Sequence, residues 1–429
     1  MLVKDQPPEE PTSRPLDEPG PSAAPPPTFE ESAGHILIDF DQTDAVIPGG
    51  GEDPPPVFTP YTAEFFVSND GAIITHDPHL NEDGEALYRF LLTMSLTYPT
   101  YALHCKGTHV EHRTRLVSTT DSNGHRQTKT ERYTETITDF DFSIDVAQTI
   151  ASKPTQWTVG DEEPAYRGRM VREVGIPGFT RKALHDEIKE AKSWRVERSA
   201  QGLPPWITRG NVRLPTEGME MPLMRDVTKS SWTLRQWADD YCASSKYLKE
   251  FIYYKVTYGW NVESLTAAVR SAILSTHYTG DISIEFKSSM DRLIVRPDTR
   301  LSRALSNHWL KLLLMITLIY PFIWLFRRFH ARGGGLWAVG GAAFSLKKWE
   351  PAQGGAGIAE LRAKYPMQRY TETSEGVQIL AGAREGEWFQ RWEGTIRRAV
   401  AAKKVDQAPM REPDDVPDYN IQALDGYSG

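Results

Sequence analysis

Histidine is the residue type through which this chain could most readily do chemistry. Imidazole nitrogens bind transition metals, and five histidines lie close enough in the sequence to supply ligands: His76, His79, His104, His109 and His112. In a β-strand, however, residues an odd number apart point to opposite faces, which separates His109 from both His104 and His112. The sequence therefore predicts solvated histidines on a polar ribbon, with a metal site as the alternative. No cofactor is expected.

Catalytic motifs do not appear in the sequence. It contains no Walker loop, no His-Glu-X-X-His, no Gly-X-Ser-X-Gly and no Cys-X-X-Cys pattern. An enzyme acting on lipid or on a membrane-delivered substrate is kept as an alternative function, but no residue can be named as its catalytic group.

An apolar run at 309–326 is the feature that the rest of the chain must position. As a helix it would cover roughly 27 Å, which is close to the hydrocarbon thickness of a bilayer. Its ends are typical of a membrane segment, with interfacial aromatic rings at Trp309 and Trp324, a charge able to snorkel at Lys311, and a basic end at Arg327 and Arg328. A buried core helix is the alternative.

Pro321 leaves the path of this segment open. Proline breaks helices in water, but membrane helices tolerate it better. The segment is predicted either to cross the membrane once or to turn back, followed by the glycine-rich stretch at 333–341, so that both flanks lie on one side.

Composition bounds the location and the partners. A net charge of -8 argues against nucleic acid as a partner, since phosphates require a basic face. The two cysteines suit a reducing compartment, and the first residues lack the apolar core of a secretory signal. We therefore expect the region before 309 to lie in the cytosol, on an internal membrane.

The remaining chain is predicted to be α+β, with helices separate from strands rather than in repeated βαβ units. We predict a long β-hairpin, an α-β-α-β-β unit whose last two strands form a hairpin, and disordered tails. The predicted segments are a Pro-rich acidic tail at 1–56, a β-rich unit at 57–150, a connecting region with one helix at 151–230, the α+β unit at 231–305, a glycine-rich stretch and basic amphipathic helix at 327–405, and an acidic tail at 406–429.

A turn at Asn123-Gly124 sets the register of the long hairpin, because this dipeptide favours a two-residue β-turn. The predicted pairs place apolar opposite apolar and acid opposite base: Leu103 with Ile144, Cys105 with Phe142, Lys106 with Asp141, Val110 with Ile137, and His112 with Glu135. The far half is polar on both faces and is expected to protrude.

Basic residues on this hairpin are candidates for contact with anionic lipid, each worth about 1 kcal/mol near a charged leaflet. They are Arg113, Arg115, Arg126, Lys129 and Arg132. A solubilising face is the alternative interpretation.

Two stretches carry a family resemblance. They are Thr138-Asp-Phe-Asp-Phe-Ser-Ile-Asp145 and the run from Arg296-Pro-Asp-Thr-Arg300 to Tyr320-Pro-Phe-Ile-Trp-Leu-Phe326. Over 57–330 the chain resembles a family of uncharacterised fungal proteins anchored by a membrane segment behind a soluble α+β region. The resemblance implies membrane attachment and no activity.

The leading hypothesis is therefore a membrane-anchored, cytosol-facing binding or tethering module of unknown ligand. Its expected partners are the lipid bilayer and proteins that bind the tails or the hairpin.

Overall fold

The structure is a computed structural model of the chain, and all the residues it describes belong to one compact unit that begins at Phe40. The described ranges are 49–120, 126–151, 153–176, 178–209, 227–352, 358–364, 369–373 and 376–414. Most of the two predicted tails and the Asn123-Gly124 turn lie outside them. So do the side chains of Arg126 and Lys129.

Fourteen strands are described. In chain order they are β1 (Phe66–Val67), β2 (Ile73–Thr75), β3 (Thr100–Thr120), β4 (Arg126–Asp145), β5 (Thr155–Thr158), β6 (Glu173–Val174), β7 (Arg181–Lys182), β8 (Leu248–Tyr258), β9 (Asp281–Ser289), β10 (Arg292–Val295), β11 (Gly334–Ser345), β12 (Lys347–Pro351), β13 (Tyr370–Thr373) and β14 (Gly376–Gly382).

The α-helices lie between these strands, so the fold is mixed α+β, as predicted. In chain order they are α1 (Gly84–Ser95), α2 (His185–Ala200), α3 (Leu234–Ala243), α4 (Val262–Leu274), α5 (Arg300–Ser306), α6 (His308–Ile316), α7 (Ile319–Phe329), α8 (Ile358–Lys364) and α9 (Glu385–Ala401).

A six-stranded sheet in the order β1-β2-β10-β8-β11-β5 organises the molecule. Strand β8 pairs with β10 on one side and with β11 on the other. The apolar run lies between β10 and β11 in sequence. Both of its flanks therefore return to the same strand.

The glycine-rich stretch after the apolar run forms β11, which pairs with β8 and β5. Its small residues permit close backbone approach within the sheet. A Cβ atom added at Gly340 would meet the Trp157 carbonyl oxygen at 2.4 Å, and one at Gly341 would meet the Tyr254 carbonyl oxygen at 2.0 Å.

Helices α1 and α3 cover one face of this sheet. Leu87 and Phe90 of α1 are buried against the sheet residues Phe251 and Leu293. The helix is capped by Asp83, whose side chain accepts hydrogen bonds from backbone N–H groups of the first turn. Just before the helix, the Asn81 amide donates to the carbonyls of Asp77 and Arg296.

The order α-β-α-β-β is confirmed as α3, β8, α4, β9 and β10, but its last two strands do not form a hairpin. Strand β9 pairs with β3, whereas β10 pairs with β2 and β8. The turn between them carries the chain from one sheet to another, and Met290 there adopts a φ of 55°.

The long hairpin has the predicted register only at its base. Leu103 pairs with Ile144, Cys105 with Phe142 and Lys106 with Asp141. A β-bulge follows Gly107, with Asp139 as the extra residue on β4. The bulge shifts later pairs by one, so Val110 lies opposite Thr136 and His112 opposite Thr134, in place of Ile137 and Glu135.

A second core lies between the base of this hairpin and helices α4 and α9. One face of α9 is buried there through Trp388, Trp392 and Ile396, with Phe140 and Leu265 in the same cluster. The predicted basic amphipathic helix therefore packs its apolar face on the folded unit.

Candidate membrane-binding site

Helices α6 and α7 hold the apolar run away from the core. No residue of either helix is buried. Large side chains that normally fill a core are exposed here, including Trp309 at 76 %, Ile316 at 71 % and Phe322 at 72 %. Folded proteins seldom leave a contiguous apolar surface of this kind without a partner.

The chain bends by 103° between α6 and α7, measured as the departure from one straight helix. In the described part of the chain no single helix is long and apolar enough to cross a membrane, whereas this bent pair meets the length and composition criteria when its two helices are taken together. The predicted continuous helix is therefore replaced by a bent pair. The alternative of a buried core helix does not fit, because no residue of either helix is buried.

Pro321 accounts for the position of the bend. A proline ring clashes with the carbonyl of the residue four positions earlier and provides no N–H for it. Here that residue is Thr317, which directly follows α6. Leu318 then adopts a left-handed conformation with φ 59° and ψ 13°. In the new helix Pro321 lies in the first turn, where a missing N–H costs nothing.

The entry to α6 is set by Asn307. Its side chain accepts hydrogen bonds from the backbone N–H groups of Trp309 and Leu310, at 3.0 and 3.4 Å. The preceding helix α5 is capped by Thr299 and ends at Ser306. These caps fix the direction in which the apolar pair leaves the sheet.

Glu250 on β8 joins the two ends of the segment. Its carboxylate lies 2.8 Å from Arg296 Nε, before α5, and accepts a hydrogen bond of 2.5 Å from Arg327 Nη2, in the last turn of α7. All three side chains are largely shielded from water, with exposures of 14 % for Glu250, 17 % for Arg296 and 25 % for Arg327. The carboxylate therefore holds both flanks of the apolar pair on β8. The three residues Glu250, Arg296 and Arg327 are called the clamp below.

His76 reinforces this clamp. Its Nδ1 lies 3.1 Å from the Pro297 carbonyl oxygen and its Nε2 lies 3.0 Å from Ser306 Oγ. Burial lowers the pKa of His76, and the nearby charges of Arg296 and Arg303 lower it further. The neutral ring is the form that fits this position.

The other candidate metal ligands are dispersed. His79 lies 3.6 Å from Asp83, His104 Nε2 lies 2.7 Å from the carboxylate oxygen Oδ1 of Asp141, and His112 is exposed. Within the described ranges no group of three His, Cys, Asp or Glu residues could hold a metal ion. The solvated-histidine interpretation describes His112 but not His76 or His109.

His109 lies at the β-bulge. Its Nδ1 is 2.6 Å from Asp139 Oδ2, which also accepts a hydrogen bond of 3.0 Å from Tyr278. The hydrogen bond to Asp139 raises the pKa of His109. Burial acts to raise the pKa of Asp139, but hydrogen bonds from His109, Tyr278 and Lys403 lower it overall.

The basic residues of the protruding hairpin are partly neutralised. Arg113 pairs with Glu111 and Glu135, and Arg115 pairs with Glu131 while its guanidinium lies 5.6 Å from the centre of the Tyr133 ring. Arg132 is exposed. The described charges therefore give this hairpin a mixed surface rather than a basic one.

The clamp was missed at the level of sequence. Glu250, Arg296 and Arg327 are far apart in the chain, and only the pairing of β8 with β10 and β11 brings them together. The one available signal was a charged pair, Lys249 and Glu250, at the start of an otherwise apolar strand.

Comparison with known proteins yields no match to this chain among protein-family models, curated proteins or solved structures. The guides to its function are therefore the exposure, contacts and charges of its own residues.

Proposed function

We propose that the protein attaches to a membrane by inserting α6 and α7 into one leaflet, and that its α+β unit remains on one side as a binding or tethering module. The observation that carries this proposal is the bent apolar pair, exposed along both helices, whose two ends return to one strand. Insertion would bury side chains that water now surrounds.

The dimensions suit a re-entrant path. At 1.5 Å per residue, α6 and α7 are about 13 and 16 Å long, so each reaches about halfway through a hydrocarbon core. A single span would separate β10 from β11 by a bilayer, although both pair with β8. The sheet therefore favours entry and return over crossing.

The energetics favour insertion. Burying one Leu, Ile or Phe side chain contributes about 1.5–3 kcal/mol, so a few inserted residues outweigh the cost of ordering the contact. Polar backbone groups at the bend are partly satisfied, since Thr317 N–H donates to the Leu313 carbonyl and Leu318 N–H to the Met315 carbonyl. Pro321 contributes no unpaired N–H there.

Exposed arginines at the base of the pair supply a contact for anionic headgroups. Arg300 precedes α6, and Arg328 and Arg332 follow the last apolar turn. Each adds about 1 kcal/mol of attraction to an anionic leaflet. This site has better support as a lipid contact than the hairpin, where Arg113 and Arg115 already face glutamates.

The protruding hairpin suits a protein partner. Strand β9 pairs with β3 only as far as Thr108, so beyond it the described parts of β3 and β4 pair only with each other. Open strand edges accept an added strand from another chain. This surface would give the membrane-bound protein its tethering contact.

Matched phenylalanine variants test the attachment. Phe322 on α7 and Phe179 in a loop are both exposed, at 72 % and 84 %. We expect Phe322→Asp to reduce flotation of the full chain with phosphatidylcholine–phosphatidylserine liposomes, whereas Phe179→Asp leaves flotation unchanged. Equal flotation of the two variants, both folded by circular dichroism, would exclude α7 as the inserting element.

A further inference from the structure

A second feature of the molecule is a cavity of about 270 Å³ on the opposite face of the six-stranded sheet. Residues of β8 alternate across the sheet, so Tyr253 packs beneath α1 and α3 while Tyr254 and Val256 line the cavity. The other walls are Trp157 of β5, the loop from Val159 to Arg172, and helix α2.

The cavity is apolar in its body. Trp157, Val159 and Leu203 are buried around it, and Val256 packs against the same cluster. Its volume lies near the lower end of the range typical of small-molecule sites. A ligand for it must be small and carry an apolar body.

The residues that line the cavity carry more positive than negative charge. Three guanidinium groups line the cavity, those of Arg172, Arg195 and Arg198, against the single carboxylate of Glu163. Glu163 is committed to Arg195, whose Nε donates to it at 2.7 Å. Arg198 is only 8 % exposed, and its Nη1 donates to the neutral carbonyls of Pro205 and Ile207, at 2.6 and 3.3 Å.

The only nearby carboxylate among the lining residues, that of Glu163, must balance both Arg195 and Arg198, although a charge removed from water requires an opposite charge close by. Burial lowers the pKa of Arg198, against the opposing effect of Glu163. The guanidinium stays charged at neutral pH even so. An anion in the cavity would complete its coordination.

A second guanidinium group in the same wall is that of Arg172. It lies 5.5 Å from the centre of the Tyr166 ring, and both residues line the cavity. Arg172 and Arg198 therefore give the wall two positive groups for one anionic ligand.

We infer that this cavity binds a small organic carboxylate with a short apolar body. The carboxylate would accept hydrogen bonds from the guanidinium groups of Arg198 and Arg172, and the apolar body would contact Val159, Leu203 and Val256. Guanidinium groups match carboxylates in geometry as well as charge. The cavity wall contains no histidine among its lining residues, which favours binding over catalysis.

The probe for this inference is 4-phenylbutyrate, with its uncharged amide as the matched ligand. Calorimetric titration uses the full chain with Phe322→Asp, which separates cavity binding from any uptake by α6 and α7. We expect one molecule of the acid to bind per chain and the amide to bind about tenfold or more weakly, since it lacks the charge.

Two substitutions locate the binding. Arg198→Gln removes the buried charge and Arg172→Gln removes the second one, while Arg235→Gln on α3 is the control on the other face. We expect about tenfold weaker binding for Arg198→Gln, severalfold weaker binding for Arg172→Gln, and no change for the control.

If Arg198→Gln does not fold, Arg172→Gln decides the question. No binding of the acid at about 1 mM, equal binding of acid and amide, or unchanged binding in a folded Arg172→Gln chain would each overturn the inference. Because it concerns a different face of the sheet, the membrane proposal stands or fails separately.

Discussion

At the scale of single residues, the pKa values of two histidines are shifted in opposite directions. His76 lies against Pro297 and Ser306 with a lowered pKa, whereas His109 bonds Asp139 with a raised pKa. Burial dominates the first shift and a carboxylate partner the second. Neither environment follows from sequence spacing, because Pro297 and Ser306 are more than 200 positions from His76.

His76 should destabilise the fold in acid. Its folded-state pKa lies below the unfolded value near 6.5, so the unfolded chain binds more protons as the pH falls through that range. We expect the thermal midpoint of the detergent-solubilised protein to fall between pH 7.5 and 5.5 by more than that of His76→Gln. Parallel pH dependence of the two proteins would show that His76 does not titrate as described.

His109 should behave with the opposite sign. Its raised pKa means that its stabilising contact with Asp139 is complete below the unfolded pKa near 6.5 and is lost as the pH rises through the folded value. We expect Asp139→Asn to lower the pKa of His109 toward 6.5, measured from its ring resonances by NMR. An unchanged pKa would rule out Asp139 as the cause.

At the scale of elements, the apolar pair depends on one clamp. Glu250 contacts Arg296 and Arg327 at the two ends of the segment, in a site largely shielded from water. The apolar run and Pro321 could be predicted from composition. The clamp could not, because its members meet only through the pairing of three strands.

Removing the charge of Glu250 should loosen both ends at once. We expect Glu250→Gln to lower the free energy of unfolding by about 1.5–3 kcal/mol, the range for hydrogen bonds to charged groups. Cleavage by protease between 296 and 333 should increase. Glu285→Gln on the exposed face of β9 is the control, and equal stability of the two variants would contradict the clamp.

The bend itself can be measured. Spin labels at 310 and 326 would lie about 24 Å apart on a straight helix and about 14 Å apart with the 103° bend. We expect dipolar broadening in the parent and in Leu318→Gly, which relieves the left-handed residue without removing Pro321. Broadening that persists in Pro321→Ala would mean that the proline does not set the bend.

Elements with a strong local pattern were predictable, and those defined by distant pairing were not. The base of the long hairpin and the buried face of α9 follow from alternation and helical spacing. The bulge at Asp139 shifted the outer register, since one extra residue is invisible to a turn-based count. The glycines of β11 were predicted only as a glycine-rich stretch. They permit close backbone approach to β5 and β8, which are distant in sequence, so a strand could not be predicted there from local pattern.

At the scale of the whole molecule, one sheet holds both flanks of the apolar run. Because β10 and β11 both pair with β8, the two flanks of the apolar run cannot part without breaking the sheet. The sequence left open whether the apolar run crosses the membrane or turns back within it. The proposed attachment is the path that turns back, with the cavity and the protruding hairpin on the same side as both flanks.

The most direct measurement is labelling by a membrane-impermeant maleimide in intact microsomes. Val57→Cys and Val405→Cys place exposed thiols before and after the apolar run, at positions 105 % and 65 % exposed, in a Cys242→Ser background. If α6 and α7 enter the membrane and return, both thiols are labelled from the cytosolic side and the protein resists carbonate extraction. Protection of one thiol, or release by carbonate, would contradict that path.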